Sequence, residues 1–195
     1  MTTPASMTEL EAVNVLLTTI GEAPINTLSG NQVVDVAVAQ QVLNEVNREV
    51  QSQGWHFNIE YDVELSPDVD GNIYIPSNAS RVDVKGTNVV VRSNRLYNLE
   101  KKTFTFPNKV KAEIIYYLNF VDLPDVAKRY ITIRAARIFS DRMINSETIS
   151  KMTSRDEQKA LIDLRDYEGD TADYNMMDSY SVARVMSRGF NRRVL

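Results

Sequence analysis

The chain has 195 residues, 43% hydrophobic and 25% charged, which is enough apolar material to bury a core and places it in the globular range. It holds no cysteine and a single histidine, which excludes disulfides and thiolate metal sites and argues against a zinc site built by this chain alone. Its 22 basic and 26 acidic residues give a formal net charge of -4, without the overall basic bias expected of a nucleic-acid-binding protein.

Residues Met1 to Met7 lack the basic and apolar regions of a secretory signal, and no stretch approaches the about 20 apolar residues of a membrane span. The expectation is a soluble, cytosol-made protein with no membrane partner. Thr8-Glu9-Leu10-Glu11 reads as a capping box and predicts a helix start. Leu10, Val13, Leu16, Leu17 and Ile20 form its apolar stripe, which Gly21 ends and Pro24 keeps from resuming. After a turn-rich linker through Asn26, Ser29, Gly30 and Asn31, a second helix is predicted from about Val34 to Gln53. Val36, Ala39, Leu43, Val46 and Val50 share one face of it.

At Gly54 the period changes. Phe57, Ile59, Tyr61, Val63 and Leu65 alternate with His56, Asn58, Glu60, Asp62 and Glu64, the pattern of a half-buried strand. Gly54 suits a left-handed helix-closing position, and Trp55, the only tryptophan, can fold back on the last helical turn. Gly54, Trp55 and Phe57 therefore define a predicted structural joint. Further strands are expected at Asn72 to Ile75, Arg81 to Lys85, Asn88 to Arg92, Arg95 to Leu99, Thr103 to Phe106 and Lys109 to Phe120, separated by Pro, Gly and Asn turns. In the last of these, Val110, Ala112, Ile114, Tyr116, Leu118 and Phe120 share a face, and short strands joined by tight turns imply an antiparallel sheet.

Asp122-Leu123-Pro124 opens a third helix, with Ala127, Tyr130, Ile131, Ala135, Ile138 and Phe139 inward and Lys128, Arg129, Arg134, Arg137 and Arg142 making it basic. A break at Asn145-Ser146 precedes a fourth helix from near Ser154 to about Ala172, with Ala160, Leu161, Leu164 and Tyr167 inward. From Asp156 to Asp178 eight acids face only Lys159 and Arg165, whereas Val182 to Leu195 has four arginines and no acid. The predicted class is α+β: a four-helix bundle with an inserted antiparallel β-sheet lobe and an extended C-terminal tail. Residues 1-55 and 122-175 would form the discontinuous bundle, 56-121 the lobe and 176-195 the tail.

Little in the chain speaks for catalysis. Glu60, Asp62 and Glu64, or Glu9 and Glu11, could supply the paired carboxylates of a glycan hydrolase acting on cell-envelope polysaccharide, but they read as a solvated strand face and a helix cap. His56 has no nucleophile elbow beside it, no phosphate-binding glycine loop exists, and Asp68-Val69-Asp70-Gly71-Asn72 is an ordinary turn rather than a calcium loop. No catalytic, cofactor-binding or metal residue is assigned. The arginines of the third helix could meet phosphates, but pairing with acids of the fourth such as Asp156, Asp163 and Asp166 is favoured. The tail is the strongest candidate for an interface: Tyr174, Met176, Met177, Tyr180, Val182, Arg184, Val185, Met186, Arg188 and Phe190 are apolar or basic without helical period, suited to lie on a partner.

Several segments carry a family resemblance. They are Ala12-Val13-Asn14 through Ile20-Gly21-Glu22-Ala23-Pro24, Gln51 to Glu60 with Leu65-Ser66-Pro67-Asp68-Val69, Leu123-Pro124 with Arg129-Tyr130-Ile131 and Ala135, and Asp166-Tyr167 leading to Tyr174-Asn175-Met176-Met177-Asp178. In these the chain resembles the tail tubular protein A, or adaptor (gatekeeper), proteins of short-tailed phages related to T7. The match runs in order along nearly the whole chain and is weakest between Gly71 and Lys109 and after Ser179. The resemblance implies a virion tail protein, assembled in the host bacterial cytoplasm as a homo-oligomeric, dodecameric ring. That ring would join the portal protein to the tail nozzle (tubular protein B), support tail fibres and let DNA pass through its lumen without sequence-specific binding. It implies no cofactor and no enzyme.

Overall fold

The Thr8 capping box forms as the sequence predicts: the Thr8 N–H donates to Glu11 Oε2 at 2.7 Å and the Glu11 N–H to Thr8 Oγ1 at 3.2 Å. In this computed structural model, which describes residues 6–30, 33–144 and 147–171, the cap opens helix α1, Glu9–Thr19. Gly21 closes it at φ +84°, with the Glu22 N–H returning to Leu17 O, a turn that needs the left-handed region. The Asn14 side chain then holds the following loop, exchanging two hydrogen bonds with the Ile25 backbone.

Helix α2, Val34–Gln51, stops two residues before the sequence expectation, and Gly54 takes up φ +80°. Its five expected inward residues are all buried. Helices α3, Asp125–Met143, and α4, Glu147–Thr171, complete the helical part. Pro124 is the cap of α3 rather than its first residue, and α4 begins seven residues before the predicted Ser154. The four helices close on one apolar core that includes Leu16, Leu43, Val46, Ile131, Phe139 and Leu164. Trp55, Phe120 and Leu123, from the two segments that cross to the sheet, belong to this helical core.

The sheet part has β1, Ile59–Leu65, β2, Ala79–Val84, β3, Val89–Arg92, β4, Arg95–Asn98, and β5, Val110–Tyr116. β5 is central in an antiparallel three-stranded sheet of order β1-β5-β2, while β3 and β4 form a separate hairpin. Ser93 and Asn94, at φ 50° and 60°, supply the two positive-φ residues that a tight hairpin turn with the strands' own twist requires. A second core, with Ile73, Ile75, Val82, Leu96, Phe106 and Ile114, fills this part.

Four strand expectations need correction. Asn72 to Ile75 and Thr103 to Phe106 make only isolated bridges because each changes partner within two residues, Asn72 pairing Thr105 but Tyr74 pairing Arg95, and Thr103 pairing Asn98 but Thr105 pairing Asn72. The strict alternation of β1 breaks at a register shift between Glu60 and Val63, where Asp62 adopts φ 56°; Tyr61 is consequently 60% exposed instead of inward. The last strand ends at Tyr116, so Leu118 and Phe120 pack against the helical core rather than continue the sheet face.

Candidate functional site

The joint at Gly54 is built from buried amides. Asn47 and Gln51, one helical turn apart on α2, both point inward, with Gln51 fully buried. Gln51 Nε2 donates to Asn47 Oδ1 at 2.8 Å and to Leu118 O at 3.0 Å, and the Leu118 N–H donates to Gln51 Oε1 at 2.8 Å. Asn58 Nδ2 donates to Gln51 O at 2.9 Å and to Tyr116 O at 2.8 Å, while its Oδ1 accepts from the Trp55 N–H at 2.8 Å. The first crossing from helix to sheet is thereby fastened to the second, 116–118, through side chains that satisfy part-buried backbone groups where the β5 ladder runs out.

Trp55 folds back as expected. The residue is 7% exposed, its Nε1–H donates to Val50 O at 2.8 Å, and Phe57 stacks near it with ring centroids 6.4 Å apart. Gly54 lies so close to β5 that a Cβ there would sit 2.6 Å from Ile115 Cδ1. The His56 N–H donates to Glu168 Oε1 at 2.6 Å, which brings α4 onto the same joint. Beside it lies a cleft of about 540 Å³ whose lining includes the amide residues Asn44, Asn47, Asn78 and Asn119 and the charged Glu9 and Arg48.

The basic face of α3 is largely committed to ion pairs. Arg134 joins Glu49 at 2.6 Å and Glu157 at 2.7 Å, Arg137 joins Glu157 and Asp141, and Arg142 holds Glu45 through both oxygens at 2.9 Å. Arg129 meets Asp163 at 3.6 Å. The pairing expected with α4 thus forms, at Asp163 and at Glu157 rather than at Asp156 or Asp166, and the α2 residues Glu45 and Glu49 also take part. Arg142 pulls the Glu45 carboxyl below its ordinary range, and Glu157 in turn raises Arg137. Burial opposes the charge on Arg134, but its two carboxylate partners outweigh it. Lys128, expected on the charged face, is instead buried, its Nζ donating to Ser6 Oγ at 2.6 Å and Val121 O at 2.8 Å.

Three of the five carboxylates considered for hydrolysis, Asp62, Glu64 and Glu11, have structural partners. Asp62 bonds Lys85 at 2.8 Å and Glu64 bonds Lys109 at 2.7 Å, and each pairing lowers the carboxyl below its ordinary value. The capping hydrogen bonds lower Glu11 in the same way. A general acid needs the opposite shift. Among the described residues no group of three or more His, Cys, Asp or Glu could hold a metal ion, and no helix is long and apolar enough to cross a membrane.

Tyr174, Met176, Met177, Tyr180, Val182, Arg184, Val185, Met186, Arg188 and Phe190 lie outside the described residues. Sequence reading assigned Asn58 to an outward strand face and gave Asn47 no role. Polar residues at the core-facing spacing of α2 were the available signal for the buried amides.

Comparison with known proteins points in one direction. A family model described as "Tail tubular protein" matches residues 10–174, a span that includes both crossings and, but for Glu9, all four helices. The chain is also 31% identical over 127 residues, 64% of its length and 67% of the relative's, to "Tail tubular protein A" of Klebsiella phage KP34.

Proposed function

This chain belongs to the tail tubular protein A family and is a structural component of a phage virion tail; from that premise we propose that it is the adaptor, a ring of identical copies, twelve as the family resemblance implies, joining the portal to the tail nozzle. The four helices of 1-55 and 122-175 form a bundle that packs around the ring, the β lobe of 56-121 meets the next tail layer and supports fibre attachment, and DNA passes through the lumen. Residues 174–190 reach onto the neighbouring copy or the portal. A heterologous ring needs two different complementary surfaces on each copy, and the basic end of the chain beside the acidic 156–178 segment offers such a pair.

The observation that carries this reading is the amide joint. A protein that transmits load between two layers needs its halves held in one orientation, and Gln51 and Asn58 tie both crossings at once. Binding of the purified chain to isolated portal particles tests it. A ring of added density on the portal's tail-facing side supports the adaptor role, and absence of binding contradicts it.

A further inference from the structure

Charge is unevenly placed along the chain. Residues 85–111 carry seven lysines and arginines and one acid, Glu100, while the other residues hold fifteen basic and twenty-five acidic side chains. The basic segment is largely the β3–β4 hairpin and the turn after it. Strand pairing sets Arg92 opposite Arg95 and Val90 opposite Tyr97, and the Tyr74 to Arg95 bridge adds Tyr74 to the same face. Leu96, Ile73 and Ile75, alternating with these, are buried on the other face.

The outward face is therefore an organised array. Arg92 lies over the Tyr97 ring at 4.1 Å and Arg95 over the Phe104 ring at 4.5 Å, while the two rings meet edge to face at 4.8 Å. Stacking fixes the guanidinium planes, and Arg95 is held further by its Nη1–H donating to Asn72 Oδ1 at 3.0 Å, which leaves the other N–H groups of the two arginines for an acceptor. Among the described residues none of Arg92, Arg95, Lys101 and Lys102 pairs with a carboxylate, in contrast to Lys85 and Lys109 of the same segment. Tyr74 adds apolar area, being 56% exposed.

We infer that this arginine–aromatic face of the hairpin docks on the acidic helical part of a second copy of this chain. The inference rests on the ring reading above and names a surface for it. Two arguments select the occupant. The face is basic while the remainder of the same molecule is strongly acidic, with exposed Glu22, Asp122, Asp125, Asp156 and Asp170 on or beside the helices, so another copy supplies the complementary charge. The rings of Tyr97 and Phe104 are already engaged by guanidinium groups and by each other, so they offer no open platform for nucleobases; arginine with tyrosine is instead the composition of protein contact centres.

The chain has no cysteine, so Ser93→Cys, at the hairpin tip between Arg92 and Arg95, introduces a single thiol for a photo-crosslinker. Lys101→Cys is a second position, in the turn that follows β4. Tails carrying either variant are irradiated and the adducts identified by mass spectrometry. The expected product joins position 93 or 101 to helical peptides of another copy, with its yield falling at least tenfold in Arg92→Glu/Arg95→Glu tails. Crosslinking only to DNA or to a different tail protein, or no adduct in assembled tails, overturns the contact and leaves the ring reading standing. A single copy of the chain per tail overturns both.

Discussion

Gln51 and Leu118 are bonded in both directions, the glutamine side chain standing in for a strand: Leu118 N–H donates to Oε1 at 2.8 Å and Nε2 donates to Leu118 O at 3.0 Å. Neither backbone group has a ladder partner, because β5 has already ended at Tyr116. Replacing Gln51 with Leu keeps much of the volume but strands both groups in a buried site. We expect a loss of about 2 to 4 kcal/mol, read as a lower urea midpoint at unchanged m-value. A loss under about 0.5 kcal/mol would show that water replaces the amide freely.

Trp55 separates packing from hydrogen bonding. Trp55→Phe forfeits the bond to Val50 O and some contact area, and a cost of about 1 to 2 kcal/mol is expected; Trp55→Ala leaves a cavity in the helical core and costs about 3 to 5 kcal/mol. Thermal unfolding checks both. Unchanged thermal stability with lost tail assembly would place Trp55 in an interface rather than in the core.

Gly54→Ala meets two obstacles, the positive φ of 80° and the 2.6 Å approach to Ile115 Cδ1. Destabilisation of about 1 to 3 kcal/mol is expected. Ile115→Val removes the offending methyl, so a double-mutant cycle should show favourable coupling between the two changes. Strict additivity would mean that backbone strain alone sets the cost.

Glu45, Glu64, Glu11 and Asp62 are all held below their ordinary carboxylate values, by Arg142, Lys109, the Thr8 cap and Lys85 respectively. Because the unfolded chain then binds protons first as pH falls, their contribution is fully present above the unfolded values, 4.5 for Glu and 3.8 for Asp, and is lost as pH drops through the folded ones. Stability should therefore fall on acidification across this window. Carboxyl NMR titration should show Glu45 returning to its ordinary value in Arg142→Gln, and an unmoved Glu45 would contradict the pairing.

The helices were largely legible in the sequence because their stripes repeat over several turns and their ends carry specific signals, Thr8 with Glu11, and Gly21 and Gly54 at positive φ. β1 was read with a uniform alternation because nothing in Tyr61-Asp62 announces the bulge that turns Tyr61 outward. Lys128 was misplaced for a different reason. Its spacing puts it on the inward face beside Ile131 and Ala135, but a lysine there makes sense only with acceptors such as Val121 O and Ser6, which arrive from distant chain. The same holds for Asn58, whose partners Gln51 O and Tyr116 O come from two crossings that only the folded chain brings together.

A chain ending at Asp178 retains every described residue of both cores and should fold as a monomer with an unchanged melting temperature, yet fail to attach to portal particles. Normal attachment by the shortened chain would remove residues beyond 178 from the interface.

The most direct measurement is a reconstruction of the assembled tail at side-chain resolution. The adaptor account predicts copies of this chain closed into a ring between portal and nozzle, with residues 174–190 on the portal or the neighbouring copy. Finding the chain elsewhere in the tail, or outside any ring, would contradict it.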